Sequence, residues 1–193
     1  MNKKINKLLS SFIVFPMITS ITTIPANIPS GIVALNSNTE FSIQELFEKS
    51  NLEDNLEKSR LEKAAKIDQY LAERDMPLAG FGYDMVLEAE KNNLDWRLVA
   101  AIGVRESSGG RHACKKASFN AWGWHSCKSG FSSYEKAIEE ISAHLGGNNE
   151  RTSRYYAGKT TEEIIDTYNP PYIVPKYKSQ VLAIMNNIEK QEI

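Results

Sequence analysis

The chain has no excess of basic residues, because 23 lysines and arginines are balanced by 24 aspartates and glutamates, for a net charge of −1. Without a basic field to release phosphate counterions, we expect no nucleic-acid partner. The chain also lacks internal repeats and any convincing alternation of apolar and polar residues. A mainly α fold is therefore predicted, with at most a small β-hairpin near residues 112–130. Its 193 residues suit one well-buried domain with additions rather than two full domains.

The N-terminus has the pattern of an export signal. Three lysines precede a stretch from Leu8 to Ile24 that is apolar, with some Ser and Thr, and carries no charge. We therefore assign residues 1–34 to a signal peptide. Because no clean cleavage site follows, an uncleaved segment that tethers the protein to a membrane is the alternative.

Cysteine is scarce, with Cys114 and Cys127 as the two instances. In the oxidising compartment that export implies, a disulfide between them is the default, and the short loop that it closes is worth roughly 3 kcal/mol. His112 and His125 each lie two residues before a cysteine, so a Cys2His2 zinc set is an alternative, although its spacing is unusual. A cysteine nucleophile paired with one of these histidines is a third. We predict the disulfide, with no metal and no cofactor.

Residues 35–76 are predicted to hold a linker and a charged amphipathic helix. Ser42-Ile-Gln-Glu45 has capping-box form and opens the helix, which runs to about Arg74. Proline and glycine between Met76 and Gly82 break it. Residues 77–193 then form the predicted main domain. Its expected helices are 84–92, the helix that ends near Glu106, one after the capping box Ser132–Glu135, one after the capping box Thr160–Glu163, and one after Pro175.

A lone carboxylate, Glu106, stands at the end of an apolar run and just before Gly109 and Gly110. Helical spacing through the run, with Asp95 as N-cap, predicts that Glu106 lies in the last turn. The glycines can adopt the left-handed conformation that ends helices. Both the negative end of the helix dipole and desolvation favour a protonated carboxyl, which is the form that a general acid needs.

The stretch Asn120-Ala-Trp-Gly-Trp124 offers an amide and two aromatic faces in a loop loosened by glycine. Ring faces that stack on sugars and amides that bind hydroxyl or acetamido groups are the equipment of a glycan-binding groove. Because side chains alternate across Gly123, we expect one of the two tryptophans, Trp122 and Trp124, to fill the core instead.

Further aromatic motifs follow Glu106 and Asn120 along the chain. In order, the motifs are Glu106-Ser-Ser-Gly-Gly110, Asn120-Ala-Trp-Gly123, Tyr155-Tyr156, Tyr168-Asn169 and Val174-Pro-Lys-Tyr177. Over residues 77–190 this order resembles the lysozyme-like superfamily of peptidoglycan-cleaving enzymes. It looks most like the bacterial glucosaminidase-domain proteins, and secondarily like lytic transglycosylases and goose-type lysozymes.

The resemblance implies a lysozyme-like helical lobe in which Glu106 is the general acid/base. The substrate-binding residues that it implies are Ser107, Asn120, Trp122, Tyr156, Tyr168 and Tyr177. The function expected from it is that of an exported glycosidase, N-acetylglucosaminidase-like or muramidase-like, that cleaves the glycan strands of peptidoglycan. We expect a secreted or extracytoplasmic, cell-wall-associated monomer whose partner is the glycan strand.

The sequence departs from the family pattern in one stretch. The Gly-Leu-Met-Gln run of many transglycosylases is replaced by residues 122–127, which favours the glucosaminidase-like branch. Those hydrolases often use a second carboxylate, and none can be assigned among the seven acidic residues between the Glu106 motif and the C-terminal tyrosines: Glu135, Glu139, Glu140, Glu150, Glu162, Glu163 and Asp166. Two alternatives therefore stay open: a lytic transglycosylase that uses Glu106 alone, and a non-catalytic wall-binding module on the same fold.

Overall fold

The computed structural model describes residues 37–193, with side chains from residue 44. In this range the segments with helical periodicity form seven α-helices. The helices are α1 (Ser37–Ala72), α2 (Gly82–Lys91), α3 (Leu98–Ser107), α4 (Tyr134–Leu145), α5 (Ser153–Tyr156), α6 (Thr161–Tyr168) and α7 (Tyr177–Glu189). Within this range there is no strand, and residues 112–130 form a loop with a short 3-10 helix, Trp124–Cys127. The mainly α prediction is confirmed. The predicted signal or anchor, residues 1–34, lies outside the described residues.

Several helix ends differ from their predicted positions. Helix α1 begins at Ser37, so the predicted capping box at Ser42 lies inside it. The cap of α4 is Ser133 rather than Ser132, and its hydroxyl accepts from the amide of Lys136. The capping box of α6 is confirmed, because Thr160 and Glu163 bind each other's backbone amides. Adjacent serines offer equivalent caps, and the backbone register decides between them.

Helix α3 lies at the centre of the core. Its first five residues, from Leu98 to Ile102, are fully buried. A helix that is apolar on all sides has to be covered on all sides. Helices α7, α2 and α4 pack against it and supply that cover.

Helix α1 divides into two halves by burial. Ala64, Ile67 and Leu71 in its second half are buried in the core, as the amphipathic prediction requires. Leu46 and Leu52 in its first half stay more than 60% exposed, at 65% and 69%. Residues 42–193 form one compact unit, so the second half of α1 shares its core with the residues that follow it.

Asp68 fastens helix α1 to the start of α2. Its Oδ1 accepts from the amides of Gly80 and Gly82, at 2.8 and 2.9 Å. Gly82 has to be glycine for this approach, because a Cβ there would lie 2.4 Å from the carbonyl oxygen of Ala64. One carboxylate oxygen therefore satisfies two amides at a helix start where no residue provides a side-chain cap.

We expect Asp68→Ala to lower the free energy of unfolding by about 1–3 kcal/mol, because it leaves two amides without their acceptor. Asp68→Asn is the matched control, since its carbonyl oxygen can still accept and it should cost less. Urea unfolding followed by circular dichroism measures both. Equal losses in the two variants would show that the charge of Asp68, and not its hydrogen bonds, is what stabilises this junction.

Candidate active site

Helix α3 ends immediately after Glu106, as predicted. Ser108, with φ of 51°, is the first residue in the left-handed conformation, and Gly109 and Gly110 continue it with φ of 61° and 97°. The predicted cap at the other end is displaced, because α3 begins at Leu98. Asp95 still serves that end, since its Oδ1 accepts from the amide of Arg97 at 3.0 Å.

Ser107 secures the helix end rather than facing a ligand. Its hydroxyl donates to the carbonyl of Gly103 at 3.1 Å and accepts from the amide of Gly110 at 2.8 Å, and the residue is 4% exposed. The predicted role of Ser107 in substrate binding therefore finds no geometric support, because both bonds of the hydroxyl are made within the turn.

Tyr177 fixes the position of the Glu106 carboxylate. Its hydroxyl donates to Oε1 of Glu106 at 2.6 Å, and its ring is 1% exposed. Burial, and next the bond to Glu106, raise the pKa of Tyr177 far above its ordinary value. The phenol therefore keeps its proton and remains a donor. The guanidinium of Arg105 lies over the ring of Tyr177, 5.4 Å from its centroid.

Gly123 brings the loop against the second carboxylate oxygen. A Cβ at Gly123 would lie 3.3 Å from Oε2 of Glu106, and the residue has φ of 63°. Glycine is suited to this position on both counts, since it has no side chain and readily adopts left-handed angles. The two oxygens of Glu106 thus have different surroundings: a phenol at Oε1 and the open backbone of a glycine at Oε2.

A cavity of about 320 Å³ opens over this carboxylate. Its lining consists of Glu106, Trp122, Gly123, Trp124, His125, Ser126, Tyr156, Tyr168 and Asn169. Among the residues that the structure describes, Glu106 is the one carboxylate in this lining. Burial raises the pKa of Tyr156 to about 12, and burial together with the charge of Glu106 raises that of Tyr168. Both phenols are neutral donors.

Three of the acidic residues considered as a second carboxylate are engaged elsewhere. Glu163 closes the capping box of α6, Glu139 pairs with Lys136 at 2.8 Å, and Asp166 pairs with Lys178 at 2.6 Å. None of the seven candidates lines the cavity. The arrangement therefore offers one carboxylate and several neutral hydroxyl groups for chemistry.

Asn120 lies inside the loop instead of on the cavity surface. It is 0% exposed, and its Nδ2 donates to the carbonyls of Trp124 and Ser129, each at 2.9 Å. Its Oδ1 accepts from the amide of Trp124, also at 2.9 Å. Because all of these bonds are internal, the predicted contact between Asn120 and a substrate is replaced by a role in shaping the loop.

The two tryptophans lie in different places, one in the core and one at the cavity, as the alternation across Gly123 predicted. Trp122 is the core residue: its indole is 0% exposed and donates to the carbonyl of Val99 at 2.9 Å. Its backbone carbonyl accepts from the hydroxyl of Tyr168 at the cavity. Trp124 is the half-buried one that lines the cavity. The ring that faces the cavity is therefore that of Trp124, whereas the prediction placed Trp122 there.

Cys114 and Cys127 form the predicted disulfide. Because both sulfurs are used, the zinc set and the cysteine nucleophile are excluded in this state. The bond joins the two ends of the stretch that carries Asn120, Gly123 and Trp124. His125, Ser126 and Cys127 all have left-handed backbone angles, with φ of 53°, 53° and 58°. Such angles persist where the surroundings hold them, and here the disulfide and Asn120 do so.

Comparisons of the chain with protein-family models, with curated proteins and with solved structures find no match. The function has to be inferred from the residues of the site.

We expect Asn120→Asp to lower the free energy of unfolding by about 2–4 kcal/mol, because it replaces two buried donors by an acceptor that faces two carbonyls. Ser118→Ala is the matched control: it is an exposed polar residue of the same loop whose side chain makes no hydrogen bond to a described residue. Thermal unfolding of the oxidised protein measures both. A stability of Asn120→Asp equal to that of Ser118→Ala would contradict the role assigned to Asn120.

Proposed function

We propose that this protein is an exported enzyme that cleaves the β-1,4 glycan strands of peptidoglycan, with Glu106 as general acid and base. One observation carries the proposal: a carboxylate at a helix end is held by a buried phenol and opens into a cavity lined by aromatic residues. Aromatic faces with a few directed polar groups suit sugar rings, and a positioned carboxyl suits a glycosidic oxygen. The lysozyme-like resemblance of the sequence motifs points to the same substrate.

The surroundings of Glu106 support a division of labour between its oxygens. Because Tyr177 donates to Oε1, that oxygen is an acceptor and does not carry the carboxyl proton. Oε2, next to Gly123, is then the oxygen that holds the proton and gives it to the departing glycosidic oxygen. Tyr177 acts as the positioning residue, since it fixes the orientation of the carboxyl group.

Three aromatic residues are the candidates for holding the sugars. Tyr168 and Trp124 line the cavity with their rings 6.0 Å apart and tilted by 33°, and Tyr156 adds a phenol. Tyr168 is itself positioned by its bond to the carbonyl of Trp122. The ring faces supply the stacking surface that the sequence motifs led us to expect from Trp122.

The isolated carboxylate favours a mechanism that needs no second one. Glu106 protonates the glycosidic oxygen, the bond from C1 to that oxygen breaks, and positive charge develops on the sugar ring. A hydroxyl of the same sugar then attacks C1 and returns a proton to Glu106, which gives an anhydro-sugar. Attack by water, assisted by the acetamido group, gives the hydrolysed product instead. We favour the anhydro product, because no second carboxylate of the described residues lines the cavity to activate water.

Two features support export. The basic and then apolar N-terminal pattern is that of a signal peptide, and the disulfide fits an oxidising compartment.

Within residues 37–193, no helix is both long and apolar enough to cross a membrane.

We expect Glu106→Gln to reduce the release of soluble fragments from purified peptidoglycan by about 100-fold or more, because it removes the transferable proton. Tyr177→Phe should cause a smaller loss, since the carboxyl remains but is no longer held. Glu162→Gln, the same change at an exposed glutamate of α6, is the control and should leave the rate unchanged. Equal activity of Glu106→Gln and the wild type would remove Glu106 from the mechanism.

We expect mass spectrometry of the released muropeptides to find anhydro-sugar ends, each lighter by one water than the hydrolysed form. Reducing ends alone would refute the favoured one-carboxylate route and identify a hydrolase. A wild-type protein that sediments with cell walls but releases neither kind of end would instead be a non-catalytic wall-binding module.

A further inference from the structure

A second cavity, of about 420 Å³, lies beside the Glu106 cavity. It is lined by Trp124, His125, His144, Arg151 and Thr152. Trp124 and His125 belong to both linings, so they form the boundary between the two cavities. Its size lies within the usual range of ligand pockets, about 300–1000 Å³.

Aromatic rings connect the two cavities in a continuous row. Tyr177 stacks on Tyr168 at 6.1 Å, Tyr168 lies 6.0 Å from Trp124, and Trp124 lies 4.8 Å from His144. The row begins at the ring whose hydroxyl holds Glu106 and ends in the second cavity. A ligand that lies across Trp124 therefore contacts the carboxylate cavity on one side and the second cavity on the other.

The second cavity differs from the first in charge. Among the described residues that line it there is no carboxylate, and one of them is Arg151, which is exposed and makes no ion pair with any described residue. Nδ1 of His144 lies 2.9 Å from the hydroxyl of Thr152, so these two polar groups are engaged with each other. Nδ1 of His125 is likewise engaged, 3.0 Å from the hydroxyl of Ser129. Arg151 is left as the cationic side chain available to an anionic ligand, and the planar guanidinium fork matches a carboxylate.

We propose that the second cavity binds a carboxylate carried by the glycan strand, with Arg151 as its partner and the rings of Trp124 and His144 beneath the attached carbons. This inference rests on the proposed function, because it identifies which substituent of the strand lies next to the cleavage site. In peptidoglycan every second sugar carries a lactyl ether. Its carboxyl is either free or extended by a peptide that itself ends in a carboxylate, so the two sources share one chemistry.

The test measures binding rather than turnover, in protein made inactive by Glu106→Gln. Three soluble probes are titrated by calorimetry: a disaccharide of N-acetylglucosamine and N-acetylmuramic acid with a free lactyl carboxylate, the same disaccharide with its peptide, and the neutral disaccharide of N-acetylglucosamine. Arg151→Gln is compared with Arg154→Gln. Arg154 is a matched control, because its guanidinium is exposed nearby, lies 4.6 Å above the ring of Tyr155 and does not line the cavity.

We expect Arg151→Gln to weaken binding of at least one anionic probe by about 10- to 100-fold, as hydrogen bonds to charged groups do, and to leave the neutral probe unchanged. Arg154→Gln should leave all three affinities unchanged. The probe that loses affinity identifies the source: the lactyl carboxylate if only the disaccharide with the free lactyl group weakens, the peptide carboxylate if only the peptide-bearing one does, and either carboxylate if both do.

Three outcomes would overturn the inference: an equal loss for the neutral probe, no loss for either anionic probe, or no binding of any probe. These outcomes are separable from failure of the proposed function. In one case the wild type cleaves no glycan, while the protein still binds carboxylates selectively through Arg151. That result would support the carboxylate site in the second cavity and refute the proposed glycan cleavage. Glycan cleavage by the wild type, with probe affinities that do not change in Arg151→Gln, would support the proposed function and refute the carboxylate site.

Discussion

Helix α3 presents apolar side chains around its whole circumference, so the surrounding helices have to cover it on every side. Helices α2, α4 and α7 do so, and the first charged residues of α3 appear only in its last two turns. Arg105 and Glu106 therefore emerge where the cover stops, at the edge of the core. The site lies at this edge because burial is possible for the apolar part of the helix and not for its charged end. Since the last turn belongs to a helix packed on all sides, its carboxylate starts from a rigid platform.

The loop after α3 is tied to the same core. Trp122 inserts its indole beside α3 and donates to the carbonyl of Val99, while Gly123 brings the backbone against Glu106. Asn120 and the disulfide hold the loop in left-handed angles that would otherwise be unfavourable. The residues that close the core are thus interleaved with those that form the cavity. Mutations in this loop should for that reason affect stability and ligand binding together.

Much of the fold follows from periodicity alone. The helix through the apolar run before Glu106, the capping box at Thr160 and the disulfide between the two cysteines were each predicted from the sequence, and the structure contains all three. The sequence pattern does not predict the role of a residue type that can make two equally favourable sets of contacts. A short polar side chain beside glycines, such as Ser107 or Asn120, can bind a ligand or its own backbone, and the choice depends on loop angles that no local pattern encodes.

The tryptophans illustrate the same limit. Alternation across Gly123 indicates that Trp122 and Trp124 point in different directions, but the direction of each is set by which one reaches α3. The carbonyl of Val99 decides this, and it is 23 residues away in sequence. Likewise, His144 and Arg151 join the site through the packing of α4 and the turn after it, and nothing in their own neighbourhoods marks them. Only their positions in the fold identify them: the ring of His144 lies 4.8 Å from that of Trp124, and Arg151 makes no ion pair with a described residue.

The charges of the two cavities are kept apart by the aromatic row. Burial and the neighbouring carboxylate raise the pKa values of Tyr168 and Tyr177, so the row contributes no negative charge beside Glu106. Burial also lowers the pKa of His144, which favours a neutral ring at the far end. The remaining charges are a carboxylate on one side of Trp124 and a guanidinium on the other. Under the proposed function, the uncharged rings between them would accept a sugar without displacing an ion pair, so that a neutral backbone with one anionic substituent would fit in a single register.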